Sequence, residues 1–191
     1  NWSRSQCQDF FMRIQDGEKM KNGELIHAKP DNTLTRGILH ILEYFGEFLE
    51  KKAKDGGLGL SKGYIKRYGH YELLGTLIHM VLTMEFPVKP GKTALQEFEL
   101  WNDENTPTPS QKDNVITEVK ELLHKYSQIT ENVSRLKRGV SKEDHLRLLY
   151  FIFKSQIFKE ELNDIIYHRI DTLLNRVLQK ENPEFNEIKQ M

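Results

Sequence analysis

The chain reads as all-α, an irregular multi-helix assembly, on three observations. Apolar residues recur at spacings of three and four through most of the 191 residues, which is the period of a helix face and not of a strand. Alternating β-branched runs are scarce. The predicted helices and loops also vary in length, which argues against a regular bundle.

Taken in order, a first helix is expected over Arg4 to Ile14, ended by Asp16-Gly17 in the way a Gly closes a helix. Asn22 is expected to cap a short helix to Ala28, with Pro30 closing the unit. Thr33 or Thr35 opens a long helix whose Ile38, Ile41, Leu42, Phe45, Phe48 and Leu49 form one apolar stripe, stopped by Gly56-Gly57. Leu58 to Gly63 reads as a flexible loop. Tyr71 to Met84 is apolar enough for a buried central helix, ended by Pro87 and Pro90, and Thr93 to Trp101 makes a further helix. The run Asn105-Thr106-Pro107-Thr108-Pro109-Ser110 reads as a linker. It divides the chain into a helical region at 1–104, the linker at 105–110 and a C-terminal helical subdomain at 111–191. Three helices are expected there: Ser110 to Leu136, Ser141 to Ile157 with a capping arrangement at Ser141-Lys142-Glu143-Asp144, and Lys159 to Gln179. The apolar stripe of Leu146, Leu149, Tyr150 and Phe153, with Ile157 and Phe158, reads as a packing face.

Composition narrows the function classes. The length suits one proper core. Lys plus Arg and Asp plus Glu number 28 each, so no global field recruits nucleic acid or an anionic membrane, and any such binding must be local. The single Cys7 excludes an internal disulfide framework and fits a reducing, intracellular compartment, cytoplasmic or nuclear. No apolar run approaches the roughly 20 residues of a membrane span, and no signal-peptide pattern is present. No membrane partner is expected. The seven histidines are scattered, and His40 with Glu43 or His79 show no recurring ligand spacing, so no metal is expected.

Two segments carry candidate chemistry. The first is Phe10-Phe11-Met12-Arg13-Ile14-Gln15-Asp16-Gly17, followed by Met20 to Ala28 with Glu24 in the second helix. With Ile14 turned to the core, Arg13 is free to meet an anion through its fork of donors, and Gln15 can read a base edge or hold a water. The plainer alternative pairs Arg13 with Glu24 or Asp9 and lets Gln15 cap the helix end. Gly17 fits a turn that needs positive φ. Glu24 either orients Arg13 or serves as an early-helix acid favouring the dipole.

The second segment runs from Lys62 to Tyr71. Lys62, Lys66 and Arg67 alternate with Tyr64 and Tyr68, and such a mixture suits nucleic acid, cations meeting phosphates and rings stacking on bases. The alternative is that the tyrosines anchor the loop and the cations are solvated. The glycine-rich Asp55 to Gly63 lacks the Walker spacing and a preceding strand, which excludes a phosphate loop of that kind. Arg135-Leu136-Lys137-Arg138-Gly139 is a short basic turn, read as a solvated helix end.

The order of features in the first segment, an aromatic, Arg-Ile-Gln, x-Gly, then an apolar position, Glu and Ala, resembles the motif of the family typified by the N-terminal domain of GmrSD-type restriction enzymes. The resemblance covers about Ser3 to Pro87, and nothing past Trp101 matches specifically. In that family the motif follows a ParB-like, nucleotide-hydrolysing portion with an Asp-Gly-Gln-Gln-Arg signature, which this chain does not contain. The resemblance therefore implies the helical half of a larger α+β protein, with its partner an upstream ParB-like segment or another subunit. It further implies that any nucleoside triphosphate belongs to the parent protein, and that Arg13, Gln15, Gly17 and Glu24 support the cofactor site. The expected function is a helical, nucleic-acid- or nucleotide-site-supporting portion of a DNA restriction or defence protein, not catalytic alone, with DNA as a partner. The second reading is a non-enzymatic helical interaction or scaffold module in a larger, viral or other, assembly. No convergent acid, base and nucleophile set supports a stand-alone enzyme.

Overall fold

The computed structural model describes Gly17 and residues 20–101, 107–155, 157 and 159–178. Within them lie nine α-helices and one 3-10 turn, with no strand. In chain order the helices are α1 (Asn22–His27), α2 (Thr33–Glu50), α3 (Lys62–Lys66), α4 (Gly69–Thr83), α5 (Pro90–Leu100), α6 (Pro109–Asn132), α7 (Ser134–Lys137), α8 (Lys142–Lys154) and α9 (Asp164–Leu178), with the 3-10 turn at Ala53–Asp55. The first expected helix lies outside the described residues.

Helix α4 is the hub. It packs on α1, α2, α3, α5, α6 and α8, and its apolar side chains are buried nearly all round, Leu74, Leu77, Ile78 and Met80 completely. A helix without a polar face is stable only when surrounded. Helix α2 turns the predicted stripe inward, with Ile38, Ile41 and Leu49 fully buried and Leu42, Phe45 and Phe48 packed against the core. Leu146, Leu149 and Phe153 of α8 are buried likewise. Trp101 on one side of residues 105–110 and Val119, Leu122 and Leu123 on the other enter one hydrophobic core.

The helix ends differ from expectation where local hydrogen bonding decides them. Lys21, not Asn22, is the first cap residue, because the Glu24 carboxylate reaches back to accept the Lys21 N–H at 2.8 Å. Asn32 caps α2 from a buried position, its Oδ1 accepting from Leu34 and Thr35 while its amide donates to the Phe98 carbonyl at 3.0 Å. Helix α4 starts at Gly69, two residues before Tyr71, and ends at Met84 as expected, left-handed at φ 61° and ahead of either proline. Pro90 instead opens α5, at a position where its missing N–H costs nothing. The long helix expected to reach Leu136 breaks at the extended Val133. Ser141 caps α8 as expected, accepting the Asp144 N–H at 3.1 Å.

Leu58 to Gly63 is not a loose loop. Leu58 is buried, its N–H donates to the Phe48 carbonyl and that of Gly59 to the Lys51 carbonyl. Ser61 caps α3, so Lys62 and Gly63 are already helical. The start of α9 is similarly tied down: Asn163 Oδ1 accepts from Ile165 and Ile166, and Lys125 of α6 donates to the Ile157 and Glu160 carbonyls.

Candidate functional site

Helix α1 and the α3–α4 corner bring both sequence segments to one place. Arg67 grips Glu24 as a fork, Nε to Oε1 at 3.2 Å and Nη2 to Oε2 at 3.1 Å, across 43 residues of sequence. The Glu24 side chain is 9% exposed and that of Arg67 25%. Two parallel charge-assisted bonds to a nearly buried carboxylate fix both position and orientation. Glu24 thereby performs two tasks, closing the N-terminus of α1 and docking that helix on the corner.

The corner itself is tight. Tyr68 holds φ 55°, a left-handed conformation that a bulky residue adopts only when its surroundings enforce it. Its carbonyl accepts the Tyr71 N–H and lies against Gly23, where an added Cβ would come within 2.0 Å of the Tyr68 oxygen. The Tyr68 ring stacks on His27 at 3.7 Å between centroids, and His27 meets Tyr71 edge-on at 5.0 Å. His70 meets Tyr71 in the same way at 4.9 Å. Burial lowers the His27 value and, with the neighbouring His27, pushes His70 down to about 4. Burial and the adjacent Tyr68 raise Tyr71 to about 12. These rings form a neutral aromatic cluster at pH 7.

Tyr64 turns inward as well. Its ring occupies the space that a side chain at position 69 would fill, 2.3 Å from an added Cβ on Gly69. Its hydroxyl is buried and finds no hydrogen-bond partner among the described residues. Burial, then Glu72 and Glu143, raise its ionisation above the ordinary tyrosine value. The Lys142 ammonium lies 5.0 Å from the ring centroid and 3.3 Å from Glu72 Oε1. Leu58, Leu60, Ser61, Tyr64, Lys142 and His145 line a cavity of about 220 Å³. His145 is buried, its Nδ1 2.7 Å from the equally buried Tyr126 hydroxyl. Burial lowers His145 to about 4, the Leu58 backbone and Asp144 opposing the shift without cancelling it.

The sequence-derived candidates are thus distributed unevenly. Glu24 and Arg67 meet directly, Tyr64 and Tyr68 pack into the corner beside them, and Lys62 and Lys66 are exposed on α3. Gly17 adopts φ 68°, the positive value a glycine turn supplies. Arg13 and Gln15 lie outside the described residues. Sequence reading missed the Tyr126–His145 pair and the contribution of Lys142, which come from α6 and α8 and share no spacing that a motif could reveal. His70 carried a faint signal as a histidine beside Tyr71 and His27 carried none; only the fold brings them together.

Comparison with protein-family models, with curated proteins and with solved structures finds no match to this chain. Among the described residues, no group of three or more His, Cys, Asp or Glu side chains is placed to hold a metal ion, and no helix is long and apolar enough to cross a membrane.

Proposed function

We propose that this chain is the helical, non-catalytic portion of a larger DNA-directed restriction or defence protein of the GmrSD-like kind, in which it supports a nucleotide or nucleic-acid site formed with another segment or subunit. The observation that carries the reading is the Glu24–Arg67 fork. It makes the acid of the family-like motif a joint between α1 and the α3–α4 corner, which is how a supporting element transmits a fixed geometry to a neighbouring site. DNA contact in this reading falls to Lys62 and Lys66, the two outward cations of the basic segment, acting on phosphates rather than on bases.

A scaffold or protein-interaction role without nucleic acid is the second reading. It is favoured by the inward packing of Tyr64 and Tyr68, which removes the stacking platform that a single-strand binder uses.

The two separate in one set of measurements on the purified chain. No hydrolysis of ATP or GTP above background is expected, and duplex DNA should bind at low salt. Lys62→Gln with Lys66→Gln should lower the slope of log affinity against log salt by about two, one for each phosphate that is no longer neutralised. Robust turnover would place a catalytic site within this chain and remove the supporting reading. Absence of DNA binding at low salt would leave the scaffold reading in its place.

A further inference from the structure

A cleft of about 450 Å³ opens between α2 and α6, lined by no residue of the two candidate segments. Its floor is set by Gly37, where an added Cβ would stand 2.7 Å from Ile116 Cδ1, so the two helices approach closely at that level. Above it the walls are cationic. Arg36 and His40 project from successive turns of α2, and Lys112, Asp113 and Lys120 from α6, with Trp101 at one end. In a chain whose charges balance overall, Arg36 from α2 and Lys120 from α6 bring a permanent cation to each side of the cleft.

Two of the cationic groups are held in place. The Lys120 ammonium lies 4.1 Å from the centroid of the Tyr44 ring and 3.3 Å from His40 Nε2. An ammonium only donates, so His40 Nε2 accepts and the ring proton sits on Nδ1, directed at Glu43 Oε2 3.1 Å away. The Glu43–His40 pair therefore orients the lysine from the rim instead of neutralising it by direct contact. Lys112 is buried and donates to the Trp101 carbonyl at 3.2 Å, which fixes that end of the cleft. Arg36 is exposed and adds a planar fork of donors.

We propose that this cleft is a phosphate-binding site, taking the phosphate oxygens of a free phospho-compound or of a nucleic-acid backbone. Cations approaching from two helices suit a group that carries charge on several oxygens at once, and the volume accommodates a pyrophosphate. The site goes beyond the function proposed above, because it does not depend on Lys62 or Lys66.

Inorganic pyrophosphate and a short DNA duplex distinguish the two sources. Calorimetry with pyrophosphate and fluorescence anisotropy with the duplex are run at low salt on wild type, Arg36→Gln with Lys120→Gln, and Lys62→Gln with Lys66→Gln. A loss of about tenfold or more in pyrophosphate affinity confined to the Arg36/Lys120 variant supports the site with a free phospho-compound as ligand. The same loss seen with the duplex alone supports it with a phosphodiester. Perturbation of the His40 ring signals in the NMR spectrum of wild-type chain, on adding whichever ligand binds, is a reading that needs no folded variant. Equal affinity of wild type and the Arg36/Lys120 variant, His40 signals unmoved by both ligands, or binding of neither, overturns the proposal. Pyrophosphate binding in the cleft without any DNA binding would remove the DNA-directed function and leave the phosphate site standing.

Discussion

At the scale of single residues, a few buried polar groups each serve two elements. Glu97 is the sharpest case. Only 2% exposed, it accepts from Trp101 Nε1 at 3.1 Å and lies 2.7 Å from His79 Nδ1, joining α5 to α4. Removing it leaves the buried indole N–H without an acceptor. Glu97→Ala is expected to cost about 2–4 kcal/mol, and Glu97→Gln, which keeps one acceptor, markedly less. Urea unfolding followed by tryptophan fluorescence reads both, and equal losses for the two substitutions would show that carboxylate packing, not hydrogen bonding, holds the joint. None of this is legible in the sequence, where Glu97 looks like an ordinary acid on a helix of mixed composition.

At the scale of elements, close approach of backbones decides which glycines matter. Gly23 on α1 touches the Tyr68 carbonyl, and any Cβ there must displace main chain. Gly46, in the interior of α2, has no described atom within 4 Å of the Cβ it lacks. Gly23→Ala should therefore undock α1 from the α3–α4 corner and destabilise the protein by about 2 kcal/mol or more. Gly46→Ala should stabilise by about 0.5–1 kcal/mol, through the lower helix cost of alanine. Thermal melts of the two variants give the comparison, and a neutral Gly23→Ala would mean that the corner yields without cost. The same corner explains where the motif reading reached its limit. Residue types at Glu24 and Arg67 mark both as charge-bearing, but a pairing across 43 positions depends on how α1 lies against the α3–α4 corner.

For the molecule as a whole, packing buries His145 and partly covers His70, and that makes stability depend on pH. His145 and His70 are held at about 4, against 6.5 for a solvated imidazole. The fold favours their neutral forms, so the unfolded chain takes up the extra protons first as acid is added. Stability is then lost as pH falls from about 6.5 to about 4, and this contribution flattens below that range. For the almost fully buried His145 the loss is on the order of 3 kcal/mol. Urea midpoints measured between pH 7 and 4.5 should drop for wild type and drop less steeply for His145→Gln. Parallel pH profiles would show that the Tyr126–His145 pair does not carry the acid sensitivity.

Helical character, the apolar stripes of α2 and α8, the buried nature of α4 and the Ser141 cap follow from the sequence by itself, because periodicity and capping are short-range properties written within one turn or a few. The packed path of Leu58 to Gly63 and the choice, left open by the sequence, of inward, half-buried rings for Tyr64 and Tyr68 were settled by tertiary structure. The reason is common to both. Each depends on which backbone groups and surfaces from distant segments meet, as when the Phe48 carbonyl takes the Leu58 N–H or Gly69 admits the Tyr64 ring. The cationic cleft between α2 and α6 is the extreme case: Arg36 and Lys120 are unremarkable surface charges in their own helices, and only the meeting of Gly37 with Ile116 sets them across a common space.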